Sequence, residues 1–272
     1  MKVEKHGRHR RVFRHSPAEL LSAPDIRVSF ILAGVQKSGT TALDLHLRSH
    51  PQVAMAKIKE VHHFDDDRVF AMPGAWLRDR IFHAHFSTAN AVLRYGEATP
   101  AYLYHDRAVE RMWAYNRDMK IVLVLRNPIE RAFSHWNMER DRAVETLPFL
   151  QALQAESARC RESLPRQNLV YSYVDRGFYT AQIRRLWRFF PVEQTLIIKH
   201  DDLRADLQGV LARLSGFLEI DAFAQAVPRD VHSRPYIAQM TDLEREYLRN
   251  IFRFEICALE QMLGWDCRAW LL

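Results

Sequence analysis

Apolar positions along the chain follow two rhythms. Short runs that are apolar at nearly every position alternate with longer segments in which apolar residues return every three or four positions. The first kind is clearest at "VSFILAG" (28–34), "KIVLVLRN" (120–127) and "TLIIKH" (195–200), with shorter candidates at "QVAMA" (52–56) and "LRYGEAT" (93–99). Such runs suit parallel strands buried on both faces. The second kind predicts helices: "TTALDLHLRSH", which stops at Pro51, and "IERAFSHWNMERDRA", which follows Pro128 at a helix start. A further amphipathic helix is expected in "DDLRADLQGVLARLSGFL", with leucines at 203, 207, 211, 214 and 218. Other helical segments fall around 75–86, 106–118, 146–160, 179–190 and 241–263. Strands alternating with helices predict an α/β fold whose central parallel sheet is covered on both faces, and its ligands belong at the carboxyl ends of the strands.

Length narrows the picture to one large domain: 272 residues bury a full core without disulfides or metals. We expect a basic, mobile arm over 1–24 and a single domain over 25–272. The arm, which begins "MKVEKHGRHRRVFRHS", reads as a solvated tail, with contact to an anionic partner as the alternative. It lacks the apolar run of a signal peptide or membrane anchor, so neither an integral membrane segment nor export is expected and the chain reads as cytoplasmic. Cys160, Cys257 and Cys267 include no CxxC pair, which fits a reducing compartment and argues against a zinc site. The net charge of +6 suits an anionic ligand without choosing one. Aromatic and basic residues do not cluster on a strand face as nucleic-acid binding would require, so no nucleic-acid partner is expected.

The chemistry concentrates where the first strand meets its helix. In "FILAGVQKSGTTALDLHL" (30–47), Gly34, Gly39 and Thr41 fit the frame GxxxxGK[ST] of a nucleotide-binding loop, but Thr40 stands where the lysine belongs and the lysine is Lys37. The glycines allow a tight turn, the amides around 37–41 can face anionic oxygens, and Ser38, Thr40 and Thr41 add hydroxyls. The lysine register is wrong for a nucleoside-triphosphate enzyme that shares phosphate charge with magnesium. A P-loop kinase or NTPase remains the alternative reading, but "IVLVLRN" ends in Arg126 where a magnesium-binding aspartate would stand.

The second half of the pattern is "LRNPIERAFSHW" (125–136), in which Arg126 ends a strand and Ser134 lies two helical turns on, close enough to share one anionic group. With the shifted loop, this RxPxxRxxSxW spacing resembles the sulfotransferases that use 3′-phosphoadenosine 5′-phosphosulfate (PAPS) and release 3′-phosphoadenosine 5′-phosphate (PAP). The resemblance runs through "KIKEVHHFD", "EATPAYLY", "RGFYTAQIRRLWRFFP" and "LIIKHDDLRAD" in order, and it is to the heparan sulfate 3-O- and N-sulfotransferase branch and its bacterial relatives. It implies a P-loop-like three-layer α/β/α fold and metal-independent in-line transfer of sulfonate to a hydroxyl or amine of a glycan, glycolipid or small-molecule natural product. It also implies Glu60 as base, His62 orienting or tuning it, and Lys37 on the departing phosphate. The donor would be held by Lys37, Ser38, Gly39, Thr40, Thr41, Arg126 and Ser134, by Tyr179 in the RGxY segment, and by Ser233 and Arg234 of a C-terminal loop. No metal ligand is implied.

Two departures bear on the acceptor. The branch usually reads EKTP where this chain has Glu97, Ala98, Thr99 and Pro100, so a lysine beside the acceptor is missing. The disulfide-bearing hairpin of the vertebrate 3-O-sulfotransferases has no counterpart. We expect the acceptor pocket in 62–76, 99–105 and 136–175, with Phe64, Phe70, Trp76, Tyr102, Tyr104, Tyr171 and Tyr173 available for stacking.

Overall fold

The computed structural model of the protein describes residues 15–88, 92–224 and 236–272. Its elements in chain order are α1 (Pro17–Ser22), β1 (Phe30–Gly34), α2 (Thr40–Arg48), β2 (Val53–Met55), α3 (Asp67–Phe70), α4 (Ala75–His83), β3 (Arg94–Ala98) and α5 (Ala108–Tyr115). There follow β4 (Lys120–Leu125), α6 (Pro128–Asp141), α7 (Phe149–Glu162), α8 (Tyr179–Leu186), β5 (Thr195–Lys199), α9 (His200–Ala205), α10 (Leu207–Leu218) and α11 (Asp242–Leu263).

The strands pair in parallel in the order β2-β3-β1-β4-β5. Alternate residues of each central strand feed different faces, as the two-residue strand period requires. Phe30, Leu32, Val122 and Val124 enter a core with Leu43 and Leu47 of α2 and Leu211 and Leu214 of α10. Ile31, Ala33, Ile121 and Leu123 enter the larger core on the other face, with Ile129 and Phe133 of α6, Ile183 of α8 and Phe252 of α11. The fold is therefore α/β with the sheet between two helical layers. Each fully buried Leu, Ile or Phe in these cores contributes about 1.5–3 kcal/mol, the main driving force for the layers to close.

Topology places the functional end. After β1 the chain builds β2 and β3 on one side, then crosses to build β4 and β5 on the other, so the strand order reverses at β1. Crevices in such sheets open at the carboxyl ends next to the reversal. There the β1–α2 loop lies between the end of β4 and the end of β3. Close approach of β3 to β1 needs Gly96, where a Cβ would fall 2.0 Å from Phe30 Cζ.

Two local outcomes differ from the sequence pattern. The helix expected over 201–218 is two helices, α9 and α10, because the Asp206 carboxylate accepts the Gly209 amide at 2.8 Å and caps a new start. Capping chemistry there overrides the leucine spacing. Residues 15–24, placed in the arm, carry α1, which opens on a capping box between Ser16 and Glu19. Arg80 of α4 donates to the carbonyls of Leu20 and Leu21 at 2.8 and 2.6 Å, satisfying groups that α1 leaves open at its end. Among the described residues, no helix is long and apolar enough to cross a membrane.

Candidate active site

The β1–α2 loop turns through two residues with positive φ, Lys37 at 73° and Gly39 at 89°. At Gly39 a side chain would be strained twice over, since a Cβ would also sit 3.2 Å from His200 and 3.3 Å from Leu203. The Ser38 hydroxyl donates to the Val35 carbonyl at 2.6 Å, so this side chain braces the loop from inside. No side chain caps α2, whose first turn begins at Thr40 and Thr41. A helix start of this kind presents amides and a partial positive charge to an anion.

The end of β4 closes on the same loop. Arg126 Nη1 donates to the Lys37 carbonyl at 3.3 Å, and its Nη2 lies 3.7 Å from Glu130, which also pairs with Arg245 at 3.0 Å. Tyr179, expected to hold the donor, is fully buried and its hydroxyl donates to the Arg126 carbonyl at 2.9 Å. Arg176, the first residue of the RGxY segment, is buried; it bonds Ser172 and the Leu169 carbonyl, both at 2.9 Å, and covers the Tyr104 ring.

One oxygen shows where these groups aim. The Tyr236 ring stands edge-on to Phe133 at 5.3 Å, and the neighbouring Ile237 amide is tied to Asn137 at 3.1 Å. Burial raises the pKa of the Tyr236 phenol, but hydrogen bonds from Ser134 and Arg126 and the charges of Arg126 and Lys37 outweigh it and hold the phenol below its ordinary range. Arg126 and Ser134 therefore both act on the Tyr236 phenol, and Lys37 adds its charge. Tyr236 itself was missed, though it lies in the expected C-terminal loop; Ser233 and Arg234 lie outside the described residues.

On the other side of β1, the residues after β2 make a tight turn in which Glu60 and His62 both have positive φ, 61° and 58°. Val61, which lies between them, is buried. His62 Nε2 lies 3.4 Å from Glu60 Oε2, His62 Nδ1 lies 2.8 Å from Asp65, and Lys59 Nζ donates to Glu60 at 3.1 Å. Burial opposes charge on Glu60, but the His62 hydrogen bond and the charges of Lys59 and His62 hold its carboxyl well below the usual range. Burial likewise opposes charge on His62, yet Asp65 and Glu60 together raise it to about 10. A carboxylate, an imidazolium and a second carboxylate therefore stand in line at neutral pH. Asp65 and Lys59 were missed as members of this group, although Asp65 stands only three residues beyond His62 in "HHFD".

The expected acceptor aromatics are mostly core. Phe64, Tyr102, Tyr104 and Tyr173 are buried, whereas Trp76 is 63 % exposed. His63 stacks on Phe82 at 4.6 Å, and burial drives its pKa well below the ordinary histidine value. A cavity of about 650 Å³ opens instead against Lys57, Ile58, His85, Phe86 and α1. Among the described residues no group of three or more His, Cys, Asp or Glu side chains is placed to hold a metal.

The family model for the sulfotransferase domain matches residues 28–250. The chain belongs to the sulfotransferase family. It is 29% identical over 193 residues to mouse heparan sulfate glucosamine 3-O-sulfotransferase 5, covering 70% of this chain and 53% of that protein. It is 31% identical over 188 residues to human heparan sulfate glucosamine 3-O-sulfotransferase 6, covering 69% and 51%. The chain thus spans about half the length of these relatives. A crystal structure of a sulfotransferase from Alicyclobacillus acidocaldarius superposes with a TM-score of 0.76 at 27% identity, over 90% of this chain and 99% of that one. Mouse sulfotransferase SULT7A1 complexed with PAP shares the fold at a TM-score of 0.53 and 13% identity, over 89% and 90% of the two chains.

Proposed function

We propose that this chain transfers sulfonate from PAPS to a hydroxyl or amine of a glycan, glycolipid or small-molecule natural product, on one domain over 25–272. The observation that carries the reading is that Arg126, at the end of β4, closes on the β1–α2 loop at the Lys37 carbonyl, beside the start of α2. In this reading the Tyr236 phenol occupies a position that a donor phosphate oxygen would take. Ser38 through Thr41 would offer the loop amides, and the C-terminal segment with Ser233 and Arg234 would complete the donor site.

The step is an in-line displacement. The acceptor oxygen or nitrogen forms its bond to sulfur as the sulfur–oxygen bond to the 5′-phosphate breaks, and the departing electron pair comes to rest on PAP. Lys37 stabilises that charge. The acceptor proton passes to Glu60, which is ionised and held in place by His62 and Lys59. Because its proton affinity is low at rest, Glu60 takes the proton only as the forming bond to sulfur acidifies the acceptor. No metal is called for, since Lys37 and the loop amides supply the charge stabilisation.

The relatives' names refer to heparan sulfate glucosamine, which supports a glycan among the acceptor classes. Ala98 is buried and carries no cation, but Lys59 brings one to within 3.1 Å of Glu60 from a different position. A cytoplasmic location fits three cysteines that carry free thiols.

The test is calorimetric binding of PAP and of ATP, each with and without magnesium. Tight, magnesium-independent binding of PAP with weak ATP binding supports the reading. A magnesium-dependent preference for ATP would overturn it in favour of the kinase-like alternative.

A further inference from the structure

Glu97 lies at the end of β3 and is fully buried. Its Oε1 accepts the Val61 amide at 3.1 Å and also the Thr99 hydroxyl. Thr99 Oγ1 in turn accepts the His62 amide at 3.4 Å, while the Glu60 amide goes to the Ala98 carbonyl at 3.0 Å. Three consecutive amides of the turn, 60 to 62, are thus held by three consecutive residues, 97 to 99. The restraint has work to oppose, because Glu60 and His62 are non-glycine residues held in the left-handed region. Glu97 Oε2 has no hydrogen-bond partner among the described residues. A buried carboxylate with an idle oxygen is costly, so this position is not explained by packing alone.

We propose that Glu97 is a positioning residue for the reaction: it clamps the turn that carries Glu60 and His62, reaching His62 through the Thr99 hydroxyl. The clamp stands on the geometry; only the naming of Glu60 as base rests on the sulfotransferase reading. Among the described residues, the charged and titratable groups acting on Glu97 include His62 and Asp65 from the turn and Tyr102 from the segment after β3. Burial, against the hydrogen bonds from Thr99 and Val61, pushes the Glu97 carboxyl up to about 7. Its charge therefore switches within the range in which His62 stays protonated, and the imidazolium would sense the change.

The experiment follows histidine ring nitrogens and the Val61 amide by NMR from pH 5 to 9 in the wild-type chain, Glu97→Gln and Glu97→Ala, with PAP affinity measured for each. In the wild type the His62 ring should keep the signature of an imidazolium and show an inflection near pH 7. Glu97→Gln keeps an oxygen for the Val61 and Thr99 donors but cannot ionise, so it should lose the inflection and keep the protected Val61 amide. Glu97→Ala should also speed Val61 amide exchange at least about tenfold, with PAP affinity unchanged. An inflection that persists in Glu97→Gln, or a Val61 amide indifferent to Glu97→Ala, would overturn the proposal. Should Glu97→Ala not fold, the Glu97→Gln inflection decides alone. Failure of the wild type to bind PAP would instead count against the sulfotransferase reading, leaving the His62 titration to judge Glu97.

Discussion

The protonation of His62 can be tested through stability. The folded pKa stands near 10, raised by Asp65 and Glu60 against burial, whereas a free histidine titrates near 6.5. A raised pKa means that the ion-paired imidazolium stabilises the fold fully below the unfolded value and that this contribution fades as pH climbs toward the folded one. Between those two values the folded state holds one proton more than the unfolded chain, so stability falls by about 1.4 kcal/mol per pH unit. From pH 7 to pH 9 the loss is roughly 2–3 kcal/mol. The His62 side chain is only 21 % exposed, so solvent screening should not erase the effect. In His62→Gln the contribution is absent, and groups that His62 does not influence cancel in the difference. Urea unfolding of the two proteins at pH 7, 8 and 9 should show the wild type losing stability relative to the variant by that amount. A gap that stays constant over this range would mean that His62 is already neutral at pH 7, and the Glu60–His62–Asp65 line would fail.

Further outcomes follow from the same contacts. Glu60→Gln should preserve PAP affinity yet lower turnover about 100-fold or more with any acceptor that the wild type sulfonates, and near-full turnover would remove Glu60 as base. Ser134→Ala removes a hydrogen bond aimed at the anion position and should weaken PAP binding about 10- to 100-fold with little change in melting temperature. Unaltered affinity, read by calorimetry, would place the phosphate elsewhere. Gly39→Ala puts a Cβ on a left-handed residue 3.2 Å from His200, and should cost about 1–3 kcal/mol in thermal or urea unfolding while weakening PAP. Wild-type stability in that variant would show that the loop does not need its turn at Gly39.

Local sequence was enough wherever function sits on one stretch of chain. The apolar runs at 28–34, 120–127 and 195–200 became β1, β4 and β5, because a strand buried on both faces has no polar alternation to obscure it. The glycine at 39 marked the turn between β1 and α2, since turn geometry is written in adjacent residues. Arg126 and Ser134 could be paired because two turns of helix separate them, and both reach the same phenol oxygen. Where local signals competed, spacing misled: the leucines of 203–218 suggested one helix, and a single capping aspartate divided it.

Only the tertiary structure could decide the rest. Glu97 meets Val61 from 36 residues away, and nothing in the composition of either segment announces that contact. The pairing exists because β3 lies against β1 with its carboxyl end at the crevice, a consequence of strand order rather than of any motif. Tyr236 likewise reaches Phe133 of α6 from a distant part of the chain. Burial, too, is a property of the assembled layers, and it sent Phe64, Tyr102 and Tyr173 into the core instead of an acceptor pocket. The sequence determined which local pieces would form and where the turn between β1 and α2 would fall. The packing of sheet against helices decided which carboxylates face one another, because proton affinities depend on neighbours that only the fold brings together.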